Sequence, residues 1–342
     1  MEKLAYINGD VFLYWNSIVL TLAAATAICF FLAFYLGKSG NAAAAFGAVP
    51  LCLVLSIVAA RFFHWYSRAD SYDGFFAAMT DHSSGGYALM GVFLGCFLAA
   101  LVLRMVCLHR NLPEMLDCMC LAGSAGIAVG RLASFFNSSD RGQIVASTRS
   151  LPWVYPVTNA VSGATEYRLA TFLLQAMVAL LLFLALTVFY RRANKRGTVR
   201  DGDTCLIFLM LYGASQVVLD STRYDSLFFR SNGFVSIVQV FGALALGLAI
   251  VVFSVRLVKA RGFRVWYVPV WLLMAALIGG AGFMEYYVQR RGNEAVFAYS
   301  VMSACLAGTA ALTLLVRALG MTQKRKSARR GETQQLPGEN GR

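Results

Sequence analysis

Several side chains in this chain carry charge where a lipid environment would surround them. Arg131 closes an apolar segment from Met115 to Phe136, within Gly130-Arg131-Leu132-Ala133-Ser134-Phe135-Phe136-Asn137-Ser138-Ser139-Asp140-Arg141-Gly142. Arg61 lies near the end of a second apolar run, three residues before His64, and on a helix those two share a face. In a third, Gln216 and Asp220 are four residues apart, with Arg223 one turn further on. A charge in hydrocarbon costs roughly 2.5–3.5 kcal/mol on insertion scales, so each such residue calls for an anion, a partner carboxylate or a wet cavity. An arginine at a helix end has the simpler option of snorkelling to the interface. If Arg61, Arg131, Arg223 and Asp220 share one pocket, it holds three cations to one carboxylate. That excess suits an anionic headgroup, because arginine forks match phosphate oxygens. The other arrangement open to these residues is a set of structural ion pairs, for example Asp220 with Arg131.

The elements that must position them are membrane spans. The chain has 342 residues, of which 58% are hydrophobic and 14% charged. That is more apolar surface than a soluble fold hides, so the expected class is an all-α polytopic integral membrane protein. Nine apolar runs are read, near 17–36, 45–66, 86–108, 115–136, 168–190, 204–220, 233–256, 265–287 and 295–317. The net charge of +13 falls in short loops between them, which argues for membrane topology and against nucleic acid. Lys38, Arg104 and Arg110, the run from Arg191 to Arg200, the run from Arg256 to Arg264, and Arg317 with the tail lie on one side. With Arg342 that side holds 19 of the 30 basic residues, which predicts a cytoplasmic C-terminus, an external N-terminus and an odd number of spans.

The opposite side mixes both signs, with Asp70, Asp73, Asp81, Asp140, Arg141, Arg149, Arg223, Asp225, Arg230, Glu285 and Glu294 among its charges. Two of its loops are long: 67–85, and 137–167 with interfacial Trp153 and Tyr155. Gly91 with Gly95, and Gly126 with Gly130, are small-residue pairs that let helices pack closely. No basic n-region precedes a cleavage site, so no removable signal peptide is expected. The scattered cysteines and the three histidines, His64, His82 and His109, predict neither a disulfide nor a metal centre, and no cofactor is expected. Walker A, GxSxG and HExxH patterns are missing.

The motif order resembles the prolipoprotein diacylglyceryl transferase family over roughly residues 15–255. Gly130, Arg131, Phe135, Asn137 and Gly142 match its signature in register. Gly85-Gly86-Tyr87-Ala88-Leu89-Met90-Gly91-Val92-Phe93-Leu94-Gly95 is similar to its glycine-rich segment. Gly213, Asp220, Arg223 and Asp225 fit its late span, Ala170 to Gln175 a further motif, and Arg61 an early arginine. The resemblance implies transfer of the diacylglyceryl group of phosphatidylglycerol to the lipobox cysteine of a prolipoprotein, in a bacterial cytoplasmic membrane. Such a leaving group gains negative charge and needs preorganised cations. Residue by residue, it implies catalytic places for Asp220, Arg131 and Arg223. Substrate-binding places fall on Arg61, Arg131, Asn137, Gly142, Gln216 and Arg223. The resemblance implies a transferase-like core over 1–256; the added pair of spans over 257–320 lies beyond it, and the basic, then Gln/Gly-rich tail over 321–342 is expected to be disordered on composition.

The chain departs from the pattern at several polar positions. Met90 stands for a histidine, Ser134 for an asparagine, Ser139 for a glutamate, Gln175 for a glutamate, Gln216 for an arginine and Asp220 for a glutamate. Asp220 is the first candidate base and His64 the second. A member of the family that binds lipid or lipoprotein without catalysis, or a transporter, are the alternatives these residues leave.

Overall fold

The computed structural model describes residues 4–8, 11–81, 86–106, 108, 111–137, 139–145, 153–158, 163–196, 200–229, 232–291 and 295–334. Arg110, Arg149, Arg230, Glu294, Ser138, Gly85, His82 and His109 lie outside the described residues.

Every apolar run read from the sequence becomes a helix. They are α1 (Trp15–Ser39), α2 (Ala42–Ser67), α4 (Leu89–Met105), α5 (Leu112–Arg131), α6 (Thr171–Lys195), α7 (Asp203–Ser221), α8 (Ile237–Arg261), α9 (Tyr267–Arg291) and α10 (Ala295–Gln334). Among the described residues, eight of these are long and apolar enough to cross a membrane, and α4, with 17 residues, is the shorter ninth. The chain is an all-α polytopic membrane protein. The backbone of α10 runs on into the basic tail as far as Gln334.

Smaller elements lie between the helices. The loop after α2 contains a short helix, α3 (Phe75–Thr80). Three antiparallel hairpins pair β1 (Leu4–Asn8) with β2 (Val11–Tyr14), β3 (Val154–Thr158) with β4 (Thr165–Leu169), and β5 (Phe228–Phe229) with β6 (Asn232–Ser236). The apolar run expected to begin a helix at 233 therefore starts as strand, and α8 begins only at Ile237.

The chain forms two compact units, Met1–Gly242 and Ala243–Arg342, so the division falls inside α8. In the first unit the glycine pairs set the helix contacts. A Cβ at Gly91 or Gly95 would overlap the α2 backbone at Ala60 and Ser56 respectively. A Cβ at Gly126 would lie 2.9 Å from the Ala27 Cβ, and one at Gly130 would lie 3.4 Å from the Ala23 Cβ, both on α1. Glycine thus lets α4 lie against α2, and α5 against α1. In the second unit, α9 packs on α10, and Thr313 Oγ1 reaches the Met274 sulfur at 3.6 Å.

A buried carboxylate ties α5 to α7. The α7 N-cap is Gly202, with φ 89° and no side chain to cap the helix. Asp117 on α5 takes over, accepting from the Gly202 N–H at 2.8 Å and the Cys205 N–H at 2.7 Å. Two N-terminal amides of α7 are thereby satisfied from a neighbouring helix. At the same end Lys38 pairs with Asp201 at 2.6 Å, and Asn111 donates to both Glu114 (2.9 Å) and Asp201 (2.7 Å).

Candidate functional site

At the opposite end of α5 and α7 the arginines meet. After Arg131 the chain makes a 3-10 turn (Leu132–Phe135) and then a loop that runs back across the end of α7. Backbone hydrogen bonds fasten it there. Gln143 N–H donates to Thr222 O at 3.0 Å, Tyr224 N–H to Arg141 O at 2.9 Å, and Gly142 N–H to Leu169 O at 2.8 Å. Gly142 passes so close to the start of α6 that a Cβ would sit 2.6 Å from the Leu169 Cβ and 2.7 Å from the Thr171 Oγ1. Only glycine fits that crossing.

The loop delivers Asp140 between two guanidinium groups. Its Oδ1 lies 3.0 Å from Arg131 Nη1 and 2.7 Å from Arg223 Nη2. Its Oδ2 accepts from Ser134 Oγ at 2.7 Å, and its own N–H donates to Asp225 Oδ2 at 2.8 Å. Asp140 adopts a left-handed backbone, φ 56°, a conformation aspartate tolerates better than most side chains. Arg223 also pairs with Asp220 at 3.1 Å and Asp225 at 3.1 Å. Burial pushes the Asp140 carboxyl up, but Arg223 and Arg131 beside it outweigh that and hold it below the usual carboxylate range. Burial pulls Arg223 down, and the Asp140, Asp220 and Asp225 carboxylates more than restore it, leaving it above the ordinary arginine value.

Arg131 and Arg223 thus face three carboxylates, not one. The carboxylate facing Arg131 is Asp140 from the following loop, where a helix-to-helix pair with Asp220 had been one expectation. Asp220 is 1% exposed, with one oxygen on Arg223 and the other accepting from Ser236 Oγ of the β5–β6 hairpin.

Arg61 is drawn into different company. Its Nε donates to Ala78 O at 2.6 Å, its Nη1 to Gly86 O at 2.9 Å and its Nη2 to Asp81 O. The guanidinium therefore fastens the loop after α2. The His64 ring packs against Gly86 in that same loop, where a Cβ would overlap it.

Asn137 folds onto its own turn, its Oδ1 accepting from the Ser139 N–H at 2.9 Å and Ser139 Oγ at 2.6 Å. Gln216 is fully buried and accepts from Gln175 Nε2 at 3.2 Å, while Gln216 Nε2 and Gln175 Oε1 have no partner among the described residues. Asp140, which the sequence places just past the span that ends on Arg131, belongs to the cluster, and Arg141, marked only as a loop charge, follows it on the same loop. Their nearness in sequence to Arg131, with glycine at 142 allowing the loop to turn back, is the signal that points to them.

The site is thus an ion network at one end of a helical bundle, rich in arginine and holding unsatisfied buried N–H groups, including Arg131 Nε. The family model for prolipoprotein diacylglyceryl transferase matches residues 3–255. A phosphatidylglycerol–prolipoprotein diacylglyceryl transferase of Streptococcus sanguinis is 26% identical over 206 residues, 58% of this chain and 75% of the relative. One from Finegoldia magna is 25% identical over 232 residues, 67% of this chain and 86% of the relative. One from Streptococcus equi subsp. zooepidemicus is 24% identical over 253 residues, 71% of this chain and 93% of the relative. The match of the family model spans well over half of the chain, and the chain belongs to the prolipoprotein diacylglyceryl transferase family.

Proposed function

We propose that this protein transfers the diacylglyceryl group of phosphatidylglycerol to the lipobox cysteine of a prolipoprotein. The site lies at the outer face of a bacterial cytoplasmic membrane, with the N-terminus outside and the C-terminus in the cytoplasm. The observation that carries the reading is the Arg131–Asp140–Arg223 network at the ends of two spans, in a chain of this family. The thiol sulfur bonds to the glycerol carbon bearing the phosphate ester. The carbon–oxygen bond breaks, and glycerol phosphate leaves with one more negative charge than the phosphodiester had. Fixed cations at that end of the bundle stabilise this developing charge. The thiol's proton passes to water at the aqueous face. Asp220, whose two oxygens are engaged by Arg223 and Ser236, acts as the counter-charge that fixes Arg223.

Purified protein incubated with phosphatidylglycerol and a lipobox peptide should form the thioether and release glycerol phosphate in equal amounts. Arg131→Ala should lower the rate by about a hundredfold or more, the usual cost of removing one preorganised donor to a transition-state anion. No product above a protein-free blank between about pH 6 and 9 defeats the transfer reading.

A second reading is supported by the amide pair. Gln175 and Gln216 form a buried contact with no titratable group, and Met90, where the resemblance has a histidine, is buried in α4 and cannot move a proton. On this reading the protein holds the lipid or the lipoprotein without turnover. Phosphatidylglycerol binding without glycerol phosphate release would select it.

A further inference from the structure

The carboxylates of the network are shared unequally. Arg131 and Arg223 are paired with Asp140, Asp220 and Asp225. The third guanidinium of the cluster, Arg141, has no carboxylate within ion-pair distance among the described residues. It is 4% exposed. Only its Nη2 is satisfied, donating to Ser134 O at 2.9 Å and Asn137 O at 2.7 Å. Its Nε and Nη1 are buried without a hydrogen-bond partner among the described residues. Two rings pack on it, Tyr155 of β3 with its centre 4.1 Å from the guanidinium carbon, and Phe172 of α6 at 4.7 Å.

A buried cation held against apolar rings, with two donor nitrogens idle, is a costly arrangement unless something anionic completes it. Burial pulls Arg141 below the ordinary arginine value, in the opposite direction to Arg223 across the loop. The ring contacts supply some compensation through cation–π attraction but leave the N–H edges unmet. Its backbone is fixed as firmly as its neighbours', since Arg141 O accepts from Tyr224 N–H at 2.9 Å and Gly142 is locked to Leu169. The side chain is therefore held in place, with Asp140 and Asp225 near enough to act on its charge but no described carboxylate in direct contact.

We infer that Arg141, on the loop that also delivers Asp140, is the residue that binds the phosphate oxyanion of the substrate. This deepens the transfer reading and rests on it for the identity of the lipid.

The test uses the full-length protein in lipid nanodiscs of neutral composition, titrated with dioleoylphosphatidylglycerol, with inorganic phosphate and with dioleoylglycerol. Binding and the ligand-induced rise in unfolding temperature are both read, since a ligand of the folded state raises the latter. The wild type should bind phosphatidylglycerol well above dioleoylglycerol. Arg141→Gln should weaken that binding about tenfold to a hundredfold, the range for a lost hydrogen bond to a charged group. Arg141→Lys, which keeps the charge without the fork, should fall between them. Should Arg141→Gln not fold, Arg141→Lys alone must still show the loss. Competition by inorganic phosphate would show that the site reads the oxyanion by itself, and lack of competition that it needs the lipid attached. Arg141 variants that bind phosphatidylglycerol as the wild type does overturn the inference, as does a wild type that binds the two lipids equally. Binding that depends on Arg141 with no thioether formed leaves this inference standing and removes the transfer reading.

Discussion

Asp140→Asn is the substitution that most directly tests how the ion network is held. The carboxylate lies 3.0 Å from Arg131 Nη1 and 2.7 Å from Arg223 Nη2, and its side chain is 14% exposed. Opposite charges about 4 Å apart attract by about 4 kcal/mol at an effective dielectric near 20. Two such contacts give about 8 kcal/mol gross. Returning one carboxylate from the interior to water recovers several kcal/mol of this. The net cost expected for Asp140→Asn is about 3–5 kcal/mol, the range for removing one partner of a buried pair. Asparagine keeps the shape and can still accept from Ser134 Oγ, so the loss reports charge and not packing.

Reversible unfolding of both proteins in the same detergent measures it, provided each unfolds in a single transition. There is a pH signature too. The folded carboxyl titrates below its unfolded value of about 3.9, so its contribution is complete above that pH and is lost as pH falls towards the folded value. The wild type should therefore lose stability more steeply than Asp140→Asn below about pH 4, and the two curves should converge in acid. A variant within about 1 kcal/mol of the wild type at neutral pH, with an unchanged acid slope, would refute the account of Asp140 as the shared counter-charge.

Three further substitutions probe the frame. Gly91→Val places a branched side chain against the α2 backbone at Ala60, which cannot rotate aside, and should cost about 1–3 kcal/mol or force the helices apart; a wild-type unfolding midpoint would show that α2 and α4 do not touch there. Asp117→Ala removes the acceptor of two α7 amides and should cost about 1–2 kcal/mol, with faster hydrogen exchange at Gly202 and Cys205; unchanged exchange at those amides would rule out the cap. Arg61→Ala leaves the carbonyls of Ala78, Asp81 and Gly86 without their shared donor, so limited proteolysis should open the segment between α2 and α4, and Arg61→Lys should not restore it, because one ammonium cannot copy the fork. Protease resistance in Arg61→Ala would remove that assignment.

The helices were legible because about twenty consecutive apolar residues leave few alternatives. The glycine pairs were legible as close-packing sites, though not which helix each would meet. The hairpins were not. Phe234 and Val235 are as apolar as the helix that follows them, so hydropathy runs straight through the boundary between β6 and α8. Pro156 inside β3 weakens any strand reading. In the site, Arg131, Asp220 and Arg223 stood out because charge in an apolar run is conspicuous, and they do gather at one end of the bundle. Arg61 stood out for the same reason yet is held by three backbone carbonyls, partners that are invisible in a sequence because every residue has one. Asp140 stood just past the span that ends on Arg131, and Arg141 looked like an ordinary loop charge. Their importance depends on a loop that comes back over its own helix end, which requires the close crossing at Gly142.

The cap that Asp117 places on α7 has a mechanical consequence. It makes one end of the α5–α7 pair a fixed pivot. Arg131 lies on the same helix, about 21 Å along from Asp117 at the usual rise per residue. A rigid tilt of about 5° about that pivot would move Arg131 by about 2 Å over such a lever arm. That is enough to lengthen the contact with Asp140 beyond hydrogen-bonding range. Such a tilt is opposed at the charged end by the bonds from Gln143 N–H to Thr222 O and from Tyr224 N–H to Arg141 O, and by the close approach of Gly126 to Ala27 on α1, so the α5–α7 pair is tied at both ends and the short ion contacts keep their geometry.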